Sequence, residues 1–160
     1  MREKRYFPLF VDLSDKKIVV VGGGNIATRR VKSLLAFTRN ITVIAPAITS
    51  DLIALSMSGH IQIEQRPVKR SDFAEAFMVL AATNDWKLND TIYEICKDEG
   101  IFVNVANDRE QCDFYFPGIC IQDNLVVGVT ASGDDHKRAR LLRAAIQKML
   151  ERLPPMSQED

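Results

Sequence analysis

The chain has 160 residues, 46% of them hydrophobic, with 21 basic residues set against 21 acidic ones. That length allows one buried core with an appendage, and the balanced charge excludes a bulk nucleic-acid binder. No run of about 18 apolar residues exists to span a membrane. The opening Met-Arg-Glu-Lys-Arg is not followed by the long apolar region of a signal peptide. Cys96, Cys112 and Cys120 are odd in number and lack C-x-x-C spacing, which argues against a disulfide framework or structural zinc and for a reducing, cytoplasmic setting.

Residues 17–21 (Lys-Ile-Val-Val-Val) read as a buried strand running into Gly22, Gly23 and Gly24, and residues 25–36 as the helix that leaves them. Gly22, Gly24 and Ala27 fit G-x-G-x-x-G/A, the spacing of a dinucleotide-binding turn. Gly22 permits the tight turn, Gly24 lets a pyrophosphate approach the backbone, and Ala27 is small enough for helix to pack on strand. The helix start at Asn25 and Ile26 then offers free N–H groups and a positive dipole end to the phosphates. A glycine-rich turn with no nucleotide is the weaker alternative.

Strands and helices go on alternating: strand 40–44 ended by Ala45-Pro46, helix 49–57 stopped near Gly59, and short strand 61–64. A helical turn at 73–77 precedes strand 78–82, which ends at Thr83-Asn84; helix 86–99 is stopped by Gly100, and strand 101–105 follows. Such βα units argue for an α/β fold of the Rossmann type, a doubly wound parallel sheet with ligands at the carboxyl ends of its strands. Gly22–Gly24, Ala45-Pro46, Thr83-Asn84 and Ala106–Asp108 then share one rim, and the first three groups are the expected cofactor contacts.

After Asp108 the pattern changes. Residues 112–116 and 125–130 read as strands with no helix between them, and Asn124 sits at the turn before the second. Helix 137–152 follows, capped by Asp134 or Asp135, with Leu141, Leu142, Ala145, Ile146, Met149 and Leu150 as its apolar stripe. Pro154-Pro155 stops it. The expected organisation is a nucleotide-binding domain over 1–112, a small segment over 113–153 whose helix serves a dimer interface or folds onto its own strands, and a disordered tail over 154–160.

Several segments together resemble the precorrin-2 dehydrogenase/sirohydrochlorin ferrochelatase family of siroheme synthesis. They are Tyr6–Phe10, Val21–Arg30, Ala81–Asp85, Val103–Asp108, Cys112–Pro117 and Ala139–Arg143, in that order along most of the chain. The resemblance implies an NAD-binding Rossmann domain with a dimerisation segment, working as a homodimer. It also implies NAD-dependent oxidation of precorrin-2 to sirohydrochlorin, in some members followed by iron insertion. The macrocycle carries many carboxylates, so Asn104, His136, Arg138 and Arg140 are the expected substrate contacts; solvated helix charge is the bland alternative for the last three.

The chain departs from the family at the proposed general base. Counted from Asn104, the family's aspartate position is occupied by Asn107, which cannot accept a proton at neutral pH. Asp108 is its neighbour, so these two are the candidate catalytic residues. Asp108 serves as the base, or the proton leaves to water while Asn107 orients substrate, or the chain binds tetrapyrrole without oxidising it. The second departure is the missing acidic residue at Ile44-Ala45-Pro46, which leaves the cofactor ribose to backbone groups, Asn25 or Thr49. NAD over NADP therefore rests on the resemblance. No resident metal is expected; Asp134-Asp135-His136 is read as a helix cap in preference to an iron perch.

Overall fold

Four β-branched residues in a row leave strand β1 (Ile18–Val21) apolar on both faces, which suits a central strand of a parallel sheet and no other position. The computed structural model, which describes residues 7–132 and 135–154, places it there. The sheet has the order β3-β2-β1-β4-β5, formed with β2 (Ile41–Ile44), β3 (Gln62–Glu64), β4 (Met78–Ala81) and β5 (Phe102–Val105). Every pair in it is parallel. The order reverses between β1 and β4, and the crevice at that switch is where such sheets take ligands.

Helix α1 (Asn25–Leu34) follows β1, α2 (Ser50–Met57) follows β2, and α3 (Trp86–Glu99) follows β4. Right-handed crossovers running in opposite directions from the switch put α1 and α2 on one face and α3 on the other. The side chains agree. Val19, Val21, Val79, Ala81, Val103 and Val105 pack with Ile92 and Cys96 of α3. Ile18, Val20, Val43, Leu80 and Asn104 point to the opposite face, and all five are buried. A single 3₁₀ turn (Arg70–Phe73) sets Phe73 into the α3-side core, where it is 1% exposed. It replaces the helical turn expected slightly later in the chain.

The helix ends obey their local chemistry. Asp85 caps α3 by accepting from the Lys87 and Leu88 amides, and Gly100 closes it at φ 68° in the left-handed region. The expected strand at 112–116 does not form. Cys112 makes one antiparallel bridge to Asn104. The Asp113 amide donates to Val103 O at 2.9 Å, while the Val103 amide donates to the Asp113 carboxylate at 3.0 Å. A side chain thus takes the place of the next ladder carbonyl, and β5 is covered at its edge without a sixth strand.

Among the described residues, contacts set a unit over 11–114 apart from a second made of 7–10, 115–132 and 135–154. In the second, β6 (Gly118–Gln122) and β7 (Leu125–Val129) form an antiparallel hairpin, with Asp123 at φ 51° in its turn. Strand β6, its Gly-Ile-Cys-Ile-Gln pattern unread beforehand, takes the role expected of 112–116. Helix α4 (His136–Leu150) packs on this hairpin, capped by Asp135, which accepts from the Arg138 amide at 2.8 Å. The expected stripe is split. Leu150 is buried and Ile146 half-buried, whereas Ala145 is exposed and Leu141, Leu142 and Met149 are 61%, 52% and 70% exposed. Tyr6, Asp134, Pro155 and the tail over 156–160, all named in the sequence reading, lie outside the described residues.

Candidate functional site

The three glycines after β1 are glycine for three different reasons. Gly22 sits at φ 121°, and a Cβ there would lie 2.3 Å from the Ala82 carbonyl oxygen. A Cβ on Gly23 would lie 2.1 Å from the Ala47 carbonyl oxygen, because the loop after β2 packs on it; the Thr49 amide donates to Gly23 O at 3.0 Å. Gly24 has φ −87° and ψ −169°, a conformation open to any residue, and a Cβ there meets no protein atom within 4 Å. The fold therefore demands glycine at 22 and 23 and makes no demand at 24. The backbone at Gly24 is thus open to the rim.

Gly24 is also the N-cap of α1, and no side chain caps that helix, in contrast to α3 and α4. The first turn holds no acidic residue, so its amides and dipole face the rim unopposed. Ala27 is fully buried, which lets α1 sit close to β1. Asn25 and Ile26 are exposed at the rim, and an open concavity of about 460 Å³ beside them is lined by Asn25, Thr28, Arg29, Lys32 and Ser33. A pyrophosphate fits this arrangement: backbone donors, an open approach at Gly24, and no competing anion.

At the end of β2, Ala45 is buried and Pro46 exposed, and neither offers a polar side chain. Thr49 is already paired with Thr28, hydroxyl to hydroxyl, at 2.8 Å. The nearest acidic residue in register is Glu64 of β3, opposite Ile44, with the Arg66 guanidinium 3.5 Å away.

The ends of β4 and β5 are joined by a polar cluster. Buried Asn89 of α3 accepts from the Thr83 hydroxyl at 2.7 Å and amide at 3.4 Å, and donates to Thr83 O at 3.2 Å and Asn107 Oδ1 at 2.8 Å. Asn84 and Asn107 are exposed beside it. The Asp108 carboxylate accepts from the Glu110 amide at 2.8 Å. The Cys112 thiol lies against Asp108 O at 3.1 Å and Val105 O at 3.3 Å and pins the turn from 105 to 108. Burial pushes that thiol above its ordinary value, with the Val105 amide and the Arg30 charge opposing. It is held as a neutral hydrogen-bonding staple.

Asn104 stands differently from the direct substrate contact expected of it. It is 3% exposed. Its Oδ1 accepts from Arg30 Nη1 and its Nδ2 donates to Phe114 O at 2.7 Å, so both ends are committed to the protein. Arg30 is half-buried, and desolvation lowers its basicity, though a guanidinium stays charged. From the sequence, Arg29 and Arg30 are candidates to reach phosphate or substrate, with helix-surface charge the alternative for one of them; the bond from Arg30 to Asn104 and the role of Asn89 are not read there. The signal for Asn89 was present: it falls three residues before Ile92 on the apolar stripe of α3, where a polar residue needs partners.

His136, Arg138 and Arg140 lie on the first turns of α4 in the second unit, all exposed. Among the described residues, no group of three His, Cys, Asp or Glu side chains is placed to hold a metal ion.

Residues 9–118 match the family model described as "Putative NAD(P)-binding". The chain is 43% identical over 144 residues to the "Probable multifunctional siroheme biosynthesis protein HemA" of Ruminiclostridium josui, covering 89% of this chain and 28% of that one. It is 34% identical over 145 residues to the siroheme synthase of Actinobacillus succinogenes, covering 91% and 30%. The chain thus spans about three tenths of the length of these curated relatives. Among solved structures, "SirC, precorrin-2 dehydrogenase" superposes with a TM-score of 0.80 at 24% identity, covering 90% of this chain and 70% of that one, a likeness of fold.

Proposed function

Since the chain belongs to the NAD(P)-binding family whose model it matches over 9–118, we propose that it oxidises precorrin-2 to sirohydrochlorin with NAD⁺. The observation that carries this reading is Gly24: a glycine that the fold does not require, at the uncapped start of α1. The siroheme-synthesis relatives supply the substrate class. NAD⁺ held at the Gly22–Gly24 turn and the start of α1 would supply the hydride acceptor for this two-electron oxidation, which also releases one proton from the macrocycle. Asp108 is the acceptor of that proton; Asn107 orients the substrate. Asn104 works from behind, through Arg30 and Phe114 O, by holding β5 and the 105–114 segment in place.

NAD is preferred to NADP on the resemblance to the family, and the end of β2, Ile44-Ala45-Pro46, offers no basic residue to hold a 2′-phosphate. Arg138 and Arg140 offer cations suited to the macrocycle's carboxylates and His136 a ring N–H donor, and the exposed Leu141, Leu142 and Met149 suit a homodimer interface. The free thiols support a reducing, cytoplasmic setting.

The test is turnover of enzymatically generated precorrin-2 under anaerobic, metal-free conditions with and without NAD⁺, followed by sirohydrochlorin absorbance. NAD⁺-dependent product is the expected result. Binding of both ligands without turnover leaves a tetrapyrrole carrier, the reading that Asn107 at the family's base position favours.

A further inference from the structure

Asn89 is 1% exposed, and its orientation is dictated by main-chain groups that cannot change role. The Thr83 amide can only donate, and it meets Asn89 Oδ1; the Thr83 carbonyl can only accept, and it meets Asn89 Nδ2. A flipped Asn89 would set like against like at both. The second Nδ2 hydrogen of Asn89 is then left for Asn107, whose Oδ1 accepts it at 2.8 Å. This fixes Asn107 in turn: its acceptor faces the protein, and its NH₂ group is left for the rim, where the residue is exposed.

We propose that Asn89 is a positioning residue that locks Asn107 as a hydrogen-bond donor to an oxygen acceptor of the bound ligand. That oxygen belongs to the nicotinamide carboxamide or to a carboxylate of the macrocycle, and the inference rests on the reaction proposed above. The lock also explains how one position serves two chemistries. An aspartate at 107 would accept from Asn89 through one oxygen and turn a second acceptor to the ligand. The same scaffold would then present a base where this chain presents a donor.

The experiment compares wild type, Asn107→Ala, Asn89→Ala and the double variant, measuring the Kd for NAD⁺ and the KM and kcat for precorrin-2. If the partner is the neutral carboxamide, Asn107→Ala weakens NAD⁺ binding about fivefold; if it is a carboxylate, the KM for precorrin-2 rises about twentyfold. Asn89→Ala shifts the same constant in the same direction, and the double variant is no worse than Asn107→Ala, because Asn89 acts through Asn107. Unchanged constants in Asn107→Ala, or independent addition of the two effects, overturn the proposal.

Should Asn89→Ala not fold, the side-chain amide resonances of Asn107 in wild type decide the matter, identified by their loss in Asn107→Ala. They are expected to shift on adding NAD⁺ alone or sirohydrochlorin alone. Resonances that move with neither overturn the lock. Wild-type protein that binds neither ligand fails the functional reading itself, and the two failures are told apart by that control.

Discussion

Arg30 Nη1 donates to Asn104 Oδ1, tying the helix after the glycine turn to the strand at the far edge of the sheet. Asn104 occupies a position in register with Leu80 and Val20, where an apolar side chain would otherwise sit. Replacing it with leucine keeps the volume but removes the acceptor for Arg30 and the donor to Phe114 O. Asn104→Leu is expected to lower the unfolding free energy by about 2 kcal/mol, the cost of disturbing a buried charge-assisted bond. Urea denaturation would show a lower midpoint at unchanged slope. An unchanged midpoint would mean the pair contributes nothing.

Gly24→Ala and Gly22→Ala should part company. The first introduces no clash and no strain, so its melting temperature should stay within a degree or two of wild type while NAD⁺ affinity drops at least about tenfold. The second forces a Cβ to 2.3 Å from Ala82 O at φ 121° and should yield poorly folded protein. Fluorescence titration with NAD⁺ on protein checked by thermal melting separates the two. Full NAD⁺ affinity in Gly24→Ala would place the pyrophosphate elsewhere.

Asp108→Asn tests the proposed proton acceptor. The turn at 105–108 is held largely by main-chain contacts with the Cys112 thiol, which the substitution leaves alone. The expected result is a kcat at least about 100-fold lower with NAD⁺ affinity retained. A kcat near wild type would assign the proton to water.

The exposed residues of α4 predict its association. Leu141, Leu142 and Met149 are exposed while Leu150 is buried and Ile146 half-buried on the helix that packs on the hairpin, so Leu142→Asp should leave the hairpin packing intact. Sedimentation is expected to find a dimer for wild type and a monomer for the variant. A dimeric variant would move the interface to another surface.

The sheet could be read from the sequence because β1 and β2 are β-branched throughout, β4 is an unbroken apolar run, and glycine, proline or a Thr-Asn pair follows these strands. What failed, failed where side chains replace backbone. Asp113 substitutes its carboxylate for a ladder carbonyl, and no periodicity signals that, so 112–116 resembles a strand and is not one. The stripe on α4 was visible as hydrophobicity, but its division between hairpin and exterior depends on tertiary packing. In the site, the tight turn at Gly22 and the close helix packing at Ala27 were legible, whereas the packing of the β2 loop on Gly23 was not. The Thr83–Asn89–Asn107 cluster joins residues far apart in sequence, and only a polar residue on an apolar stripe hinted at it.

Arg66 and Asp72 set the acid limit of the connection between β3 and β4. Two parallel bonds of 2.9 and 2.8 Å join guanidinium and carboxylate, and the Lys69 amide adds a third at 2.7 Å. The hydrogen bond to Arg66 is the main reason the Asp72 carboxyl is held below its ordinary value of 3.8, against the opposing effect of burial. A carboxyl depressed in the folded state binds its proton more readily in the unfolded chain. Its contribution to stability is therefore present in full above pH 3.8 and lost as pH falls through the lower folded value. Asp72→Asn should be less stable than wild type at neutral pH, and the gap should close on acidification below that point. Thermal melts of both proteins from pH 7 down to about 2.5 would show the curves converging. Curves that stay parallel would mean Phe73, buried next to the pair, holds this segment without help from its charge.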